Sequence, residues 1–139
     1  MASELKVDKF TGVTTAGSIL ITSDGGSTAT NLQQGISKCW VRWDGSGTAA
    51  INDSLGVSSI TDNGTGTYTQ TLTNAFSNIT FIIITGIGEL GGGGNRGMGI
   101  NGTPTTTTTK FYSFTFPSSG GTSANDVDLQ SAAWQGDLA

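Results

Sequence analysis

Asp126-Val127-Asp128 sets two carboxylates two residues apart. On an extended strand both would share one face and could touch a cation, although a solvated strand edge is the stronger reading. Gly86-Ile87-Gly88-Glu89-Leu90-Gly91 matches the glycine pattern of dinucleotide-binding turns and follows an apolar run. That pattern works only where a helix begins at the third glycine, because the helix N-terminus holds the pyrophosphate. Here Gly92-Gly93-Gly94-Asn95-Arg96-Gly97 follows, and no helix is expected. No Lys-Ser or Lys-Thr pair closes the glycine run, which excludes a phosphate-binding P-loop. The single cysteine, Cys39, stands between Lys38 and Trp40 and reads as a small buried apolar residue rather than a reactive thiol. The chain has no histidine, which removes Ser-His-Asp and Cys-His nucleophile systems and most zinc sites. No tract marks the carboxylate pair of a glycosidase. Trp40, Trp43 and Trp134 could stack on a sugar, but Trp40 and Trp43 face opposite ways on one strand, and packing in a core or interface is the stronger reading. No catalytic, cofactor-binding or metal-binding residue is therefore assigned, and no cofactor is expected.

The elements that would position any site are all strands. Cys39, Val41 and Trp43 alternate with Trp40 and Arg42, and Asp44-Gly45-Ser46-Gly47 supplies a hairpin turn. A strand over 55–60 is weakened by Gly56, a candidate bulge. Asp62-Asn63-Gly64 is the strongest hairpin signal in the chain. Thr67-Tyr68-Thr69-Gln70-Thr71-Leu72-Thr73 gives one threonine-only, wet face. Residues 79–85 form the most continuous apolar run and read as a central strand. Residues 86–104 read as a long loop, and the threonines of 105–109 could extend a strand over 110–116 that Pro117 ends. A last strand covers 126–134. Upstream, Leu5-Lys6-Val7-Asp8-Lys9-Phe10 alternates like a strand, 18–22 is a second short strand, and 31–35 could form one helical turn. The organisation expected is an N-terminal arm over 1–35 and a body over 36–139. The fold class expected is all-β: a single antiparallel β-sandwich or jelly-roll-like body with an extended N-terminal arm.

Composition narrows the function. The 139 residues suffice for one domain, yet 22 are glycine and only 35% are hydrophobic. Each glycine gives up much backbone freedom on folding and adds nothing to a core. Such a chain gains from a partner surface, so an oligomer or docking onto a larger assembly is expected. Charged residues are 12% and the net charge is −4, with six basic residues spread thinly; no nucleic acid partner is expected. The N-terminus lacks an apolar signal region and the longest apolar stretch is too short to span a bilayer, so no membrane partner is expected.

Two blocks carry a resemblance. Trp40-Val41-Arg42-Trp43-Asp44-Gly45-Ser46-Gly47-Thr48 and the segment from Ile51 through Ser58-Ser59-Ile60-Thr61-Asp62-Asn63-Gly64-Thr65-Gly66-Thr67-Tyr68-Thr69 resemble a β module of bacteriophage tail fibres and other virion structural proteins. Leu129-Gln130-Ser131-Ala132-Ala133-Trp134-Gln135-Gly136-Asp137 is similar to that module's closing strand, and Ser3-Glu4-Leu5-Lys6-Val7-Asp8-Lys9 resembles its N-terminus. The chain departs from the module in Cys39, where alanine is usual, and in the Gly/Thr-rich excursion over 86–109. The resemblance implies a non-enzymatic virion protein, assembled in the cytoplasm of a bacterial host. The first expectation is a homotrimeric capsid decoration (cement) protein bound to the major capsid protein or another virion protein. The alternative is a tail fibre or adsorption module that touches the host surface. A free carbohydrate-binding or hydrolytic domain is a third class. Leu5, Val7, Phe10, Ile19, Ile21, Trp40, Arg42 and Trp134 are the residues expected to make assembly contacts.

Overall fold

The structure is a computed structural model that describes residues 5–12, 19–22, 29–88, 95–117 and 120–139. The chain divides into two compact units, with the boundary between Ile36 and Ser37. In the first unit, β1 (Leu20–Thr22) pairs antiparallel with β2 (Ala29–Asn31), and a single helical turn, α1 (Leu32–Gly35), follows. The Leu32 N–H donates to the Ile19 carbonyl at 2.9 Å. Residues 5–12 are exposed and carry no strand, although their alternation predicts one. Alternation gives a segment two unlike faces, but only a ladder of hydrogen bonds to a neighbour makes it a strand.

The second unit is a sandwich of two antiparallel sheets. Its strands are β3 (Cys39–Asp44), β4 (Ala50–Leu55), β5 (Val57–Asp62), β6 (Thr67–Leu72), β7 (Ile82–Gly88), β8 (Arg96–Ile100), β9 (Thr108–Thr115), β10 (Ser123–Ala124) and β11 (Leu129–Gln135). One sheet runs β4-β3-β11-β7; the other runs β10-β9-β6-β5, with β8 also on β9. The Ser113 N–H donates to the Gly66 carbonyl and the Ser113 carbonyl accepts from the Asn125 N–H. Both groups of a strand residue point to one edge, so β6 and β10 share one side of β9 and β8 takes the other.

The inner faces follow the two-residue period. Cys39, Val41 and Trp43 of β3 and Ala132 and Trp134 of β11 meet Val57, Tyr68, Leu72 and Phe111 from the opposite sheet. Trp43 lies 5.6 Å from Phe111 and 6.2 Å from Tyr68 between ring centroids, and Phe111 lies 5.9 Å from Trp134. These tilted and edge-on arrangements suit the ring quadrupoles. The Trp134 Nε1–H donates to Thr109 Oγ1 at 3.1 Å, so that indole is buried without losing its polar contact.

Three sequence expectations change here. The run 55–60 is not one strand: Gly56, at φ +69°, turns the chain from β4 in one sheet to β5 in the other. A Cβ there would also meet Cys39 Cβ at 3.0 Å, so the corner needs glycine on both counts. The apolar run 79–85 is not central: β7 begins at Ile82 and is an edge strand, with Ile83 packed on the core and Ile82 and Ile84 exposed. The region 86–104 is not one long loop, because β7 continues through Gly88 and β8 spans Arg96–Ile100. Glycine is rare in strands because it adds no packing. Here Phe114 packs over the bare backbone of β8, so that a Cβ at Gly97 would lie 2.6 Å from Phe114 Cζ. The side chains of β9 supply what β8 lacks.

Candidate functional site

Several chemistry-bearing groups are tied up inside the fold. Burial pushes the Cys39 thiol up to about 11, which leaves almost no thiolate at neutral pH. Asp126 Oδ1 accepts from the Gly66 N–H at 2.6 Å and from the Tyr68 hydroxyl at 2.7 Å. The same hydroxyl lies 3.1 Å from the Gly45 carbonyl oxygen, and the Gly45 N–H donates to the Val127 carbonyl at 2.8 Å. The Gln130 Nε2–H2 group donates to that carbonyl too, at 2.9 Å. This network ties the β3–β4 turn, the β5–β6 turn and the segment before β11 together at one end of the sandwich. Burial first, then the hydrogen bond to Asp126, raise the Tyr68 pKa far above its ordinary value. Within Asp126-Val127-Asp128, Asp126 is a strut and Val127 between the two acids is buried. Among the described residues, no three His, Cys, Asp or Glu side chains cluster. Gly86 and Gly88 of the dinucleotide-like pattern lie within β7; Glu89, Leu90 and Gly91 are outside the described residues.

The surface that remains is the outer face of the four-stranded sheet. Trp40 stands opposite Leu55 on β4 and Ala133 on β11, and Ala133 stands opposite Ile84 on β7. Four apolar side chains therefore cross the whole sheet in one row, a span of roughly 14 Å at the usual strand spacing. Leu55 and Ile84 are each 53% exposed, Trp40 is 36% exposed, and Ile82 extends the patch at 61%. The adjacent row is Asp53, Arg42, Ser131 and Gly86. Ser131 Oγ–H donates to the Gly86 carbonyl at 3.4 Å, and a Cβ on Gly86 would sit 2.7 Å from that oxygen. The small side chains leave two shallow depressions. One, of about 410 Å³, is lined by Arg42, Gly86, Ile87, Gly88, Leu129 and Ser131. The other, of about 270 Å³, lies along Trp40, Arg42, Ile84, Gly86, Ser131 and Ala133. The face is a low floor of small residues between an indole, a guanidinium and an isoleucine ridge. Such a face suits contact with another protein surface, with aromatic and arginine side chains as anchors.

The other sheet's outer face differs. Thr67, Thr69 and Thr71 are half-buried along β6, while Tyr68, Gln70 and Leu72 turn inward, as the alternation predicts. Asn63 Nδ2 donates to Thr69 Oγ1 at 2.8 Å. Beside these hydroxyls, Tyr112, Phe114 and Phe116 form a ladder with centroids 5.5 and 5.0 Å apart. Tyr112 stacks on Phe114, and Phe116 meets Phe114 edge-on.

Of the residues expected to make assembly contacts, Trp40 and Arg42 are neighbours on the outer face described above. Trp134 is a correction: it is fully buried in the core, so it offers no contact surface. Its position follows from register, since Trp134 pairs with Cys39 and shares that residue's inward face. Leu5, Val7, Phe10 and Ile21 are exposed in the first unit, and Ile19 is partly buried there. Sequence reasoning missed Leu55, Ile82, Ile84, Ser131 and Ala133. The parity of Ile82 and Ile84 was readable, but the pairing that aligns them with Trp40 was not. No family model, curated protein or solved structure matches the chain.

Proposed function

We propose that this chain is a non-enzymatic structural protein of a bacteriophage virion, a homotrimeric capsid decoration (cement) protein that stabilises the shell by docking on the major capsid protein. The observation that carries the reading is the apolar row Leu55, Trp40, Ala133 and Ile84, flanked by Arg42 and Asp53, on the outer face of a sheet whose inner face is already packed. A continuous apolar patch with a polar border is the signature of a contact surface rather than of scattered exposed residues. The sequence resemblance in 40–69 supplies the virion context. The exposed Leu5, Val7, Phe10 and Ile21 of the first unit supply apolar side chains for gripping a neighbour. Trimerisation rests on the resemblance and on the glycine-rich composition, which leaves little core per chain.

Binding to purified phage particles tests the reading. Wild-type protein should decorate shells stripped of it, in proportion to the number of capsid subunits. Trp40→Glu and Ile84→Lys, each folded, should not. Binding confined to tails would favour the adsorption role instead, and unaltered decoration by both variants would remove the outer face from the account.

A further inference from the structure

The chain contains two exposed Asn-Gly pairs in turns, Asn63-Gly64 and Asn101-Gly102, and the fold treats them differently. At the first, Asn63 Nδ2 donates to Thr69 Oγ1 at 2.8 Å and to the Thr61 carbonyl at 3.3 Å, which holds the side-chain amide. The Gly64 N–H donates to Asp62 Oδ1 at 2.8 Å. At the second, the Asn101 backbone N–H donates to the Lys110 carbonyl at 2.7 Å, but its side chain makes no hydrogen bond among the described residues, nor does the Gly102 N–H. Gly102, at φ +87°, leaves open space where a Cβ would stand.

Spontaneous deamidation needs the glycine nitrogen to lose its proton and attack the asparagine side-chain carbonyl carbon. A C–N bond forms, ammonia leaves, and a five-membered cyclic imide results. Water then opens the imide at either carbonyl, giving aspartate or isoaspartate. The sum is one water consumed and one ammonia released, with no oxidant or reductant. A glycine N–H held by a carboxylate and an amide held by two acceptors both resist this step; a free pair does not. From this difference we propose that Asn101, at the end of β8, is a self-modification site of the folded chain, while Asn63 is protected. Conversion adds one negative charge to a chain of net charge −4 and, in the isoaspartate form, inserts an extra backbone carbon beside the Asn101–Lys110 hydrogen bond.

Trypsin separates the two sites, because cleavage after Arg42, Arg96 and Lys110 puts Asn63 in 43–96 and Asn101 in 97–110. Full-length protein is incubated under native, mildly alkaline conditions, and both peptides are followed by mass spectrometry with isoaspartate-specific methylation. Asn101 should convert roughly five- to tenfold faster than Asn63, the factor that one hydrogen bond of ordinary net strength commands. Asp62→Ala should speed Asn63 and leave Asn101 unchanged, and in urea the two rates should converge. Equal rates in the native protein, faster conversion at Asn63, or an intact Asn101 while the urea-treated chain converts would each overturn the proposal.

Discussion

Cys39 and Tyr68 are both held neutral by burial, and the sign of the consequence is fixed. A group whose pKa is raised by folding contributes stability that is complete below its unfolded pKa and is lost as pH rises through the folded value. Between about pH 9 and 11, stability should therefore fall with a slope to which Cys39 contributes. Cys39→Ala should make that slope shallower in urea titrations across the range, and the wild-type thiol should resist labelling at neutral pH until the protein unfolds. Asp44 runs the other way. The Ser46 hydroxyl at 2.6 Å, then the Ser46 N–H at 2.7 Å, lower its pKa, so its contribution to the β3–β4 turn is lost as pH falls. The Tyr68 hydroxyl donates to Asp126 Oδ1 within the network at the β3–β4 turn, and Tyr68→Phe should cost about 1–3 kcal/mol in chemical denaturation. Gln70 is its counterexample. It is fully buried, and among the described residues neither its Oε1 nor its Nε2 has a hydrogen-bond partner. Gln70→Leu should leave stability unchanged or raise it by about 1 kcal/mol, since an unsatisfied buried amide costs more than an apolar group of similar size.

At the scale of elements, alternation carried the sequence reading and pairing lay beyond it. The inward set Cys39, Val41, Trp43 and Tyr68, Gln70, Leu72 follows from the two-residue period alone, and the hairpin at Asp62-Asn63-Gly64 follows from its turn residues. Residues 79–85 misled because a run of isoleucines describes a strand apolar on both sides, and both a buried centre and an exposed patch answer to that description. Gly97 and Gly99 hid a strand because β8 gains its pairing from β9 and its cover at Gly97 from Phe114, far along the chain from any local signal. Trp40 and Arg42 were found as candidate contact residues, while the face they belong to required the register of β11 with β3 and β7. Gly56 marks the same boundary: a glycine in a strand signals a bend, but not that the chain changes sheets. Gly56→Ala should lose roughly 1–3 kcal/mol, because alanine at that φ is strained and its Cβ presses on Cys39. A thermal melt with unchanged midpoint would remove the corner from the list of what holds the two sheets together.

For the whole molecule, the account rests on division of labour between the two faces of one sheet. The inner face, with Val41, Trp43, Ala132 and Trp134, holds the body together, while the outer face, with Trp40, Leu55, Ile84 and Arg42, is exposed. Outer-face substitutions should therefore separate stability from assembly. Trp40→Glu and Ile84→Lys should shift stability by no more than about 0.5 kcal/mol, the usual range for surface changes, while strongly weakening binding to shells. Removing residues 1–36 at the unit boundary should leave the body folded and reduce binding to capsids. Sedimentation of the purified full-length chain at micromolar concentration reads its oligomeric state. A trimer is the expected result, in the wild-type protein and in the Trp40→Glu and Ile84→Lys variants alike, and a monomer in the wild-type protein would contradict it.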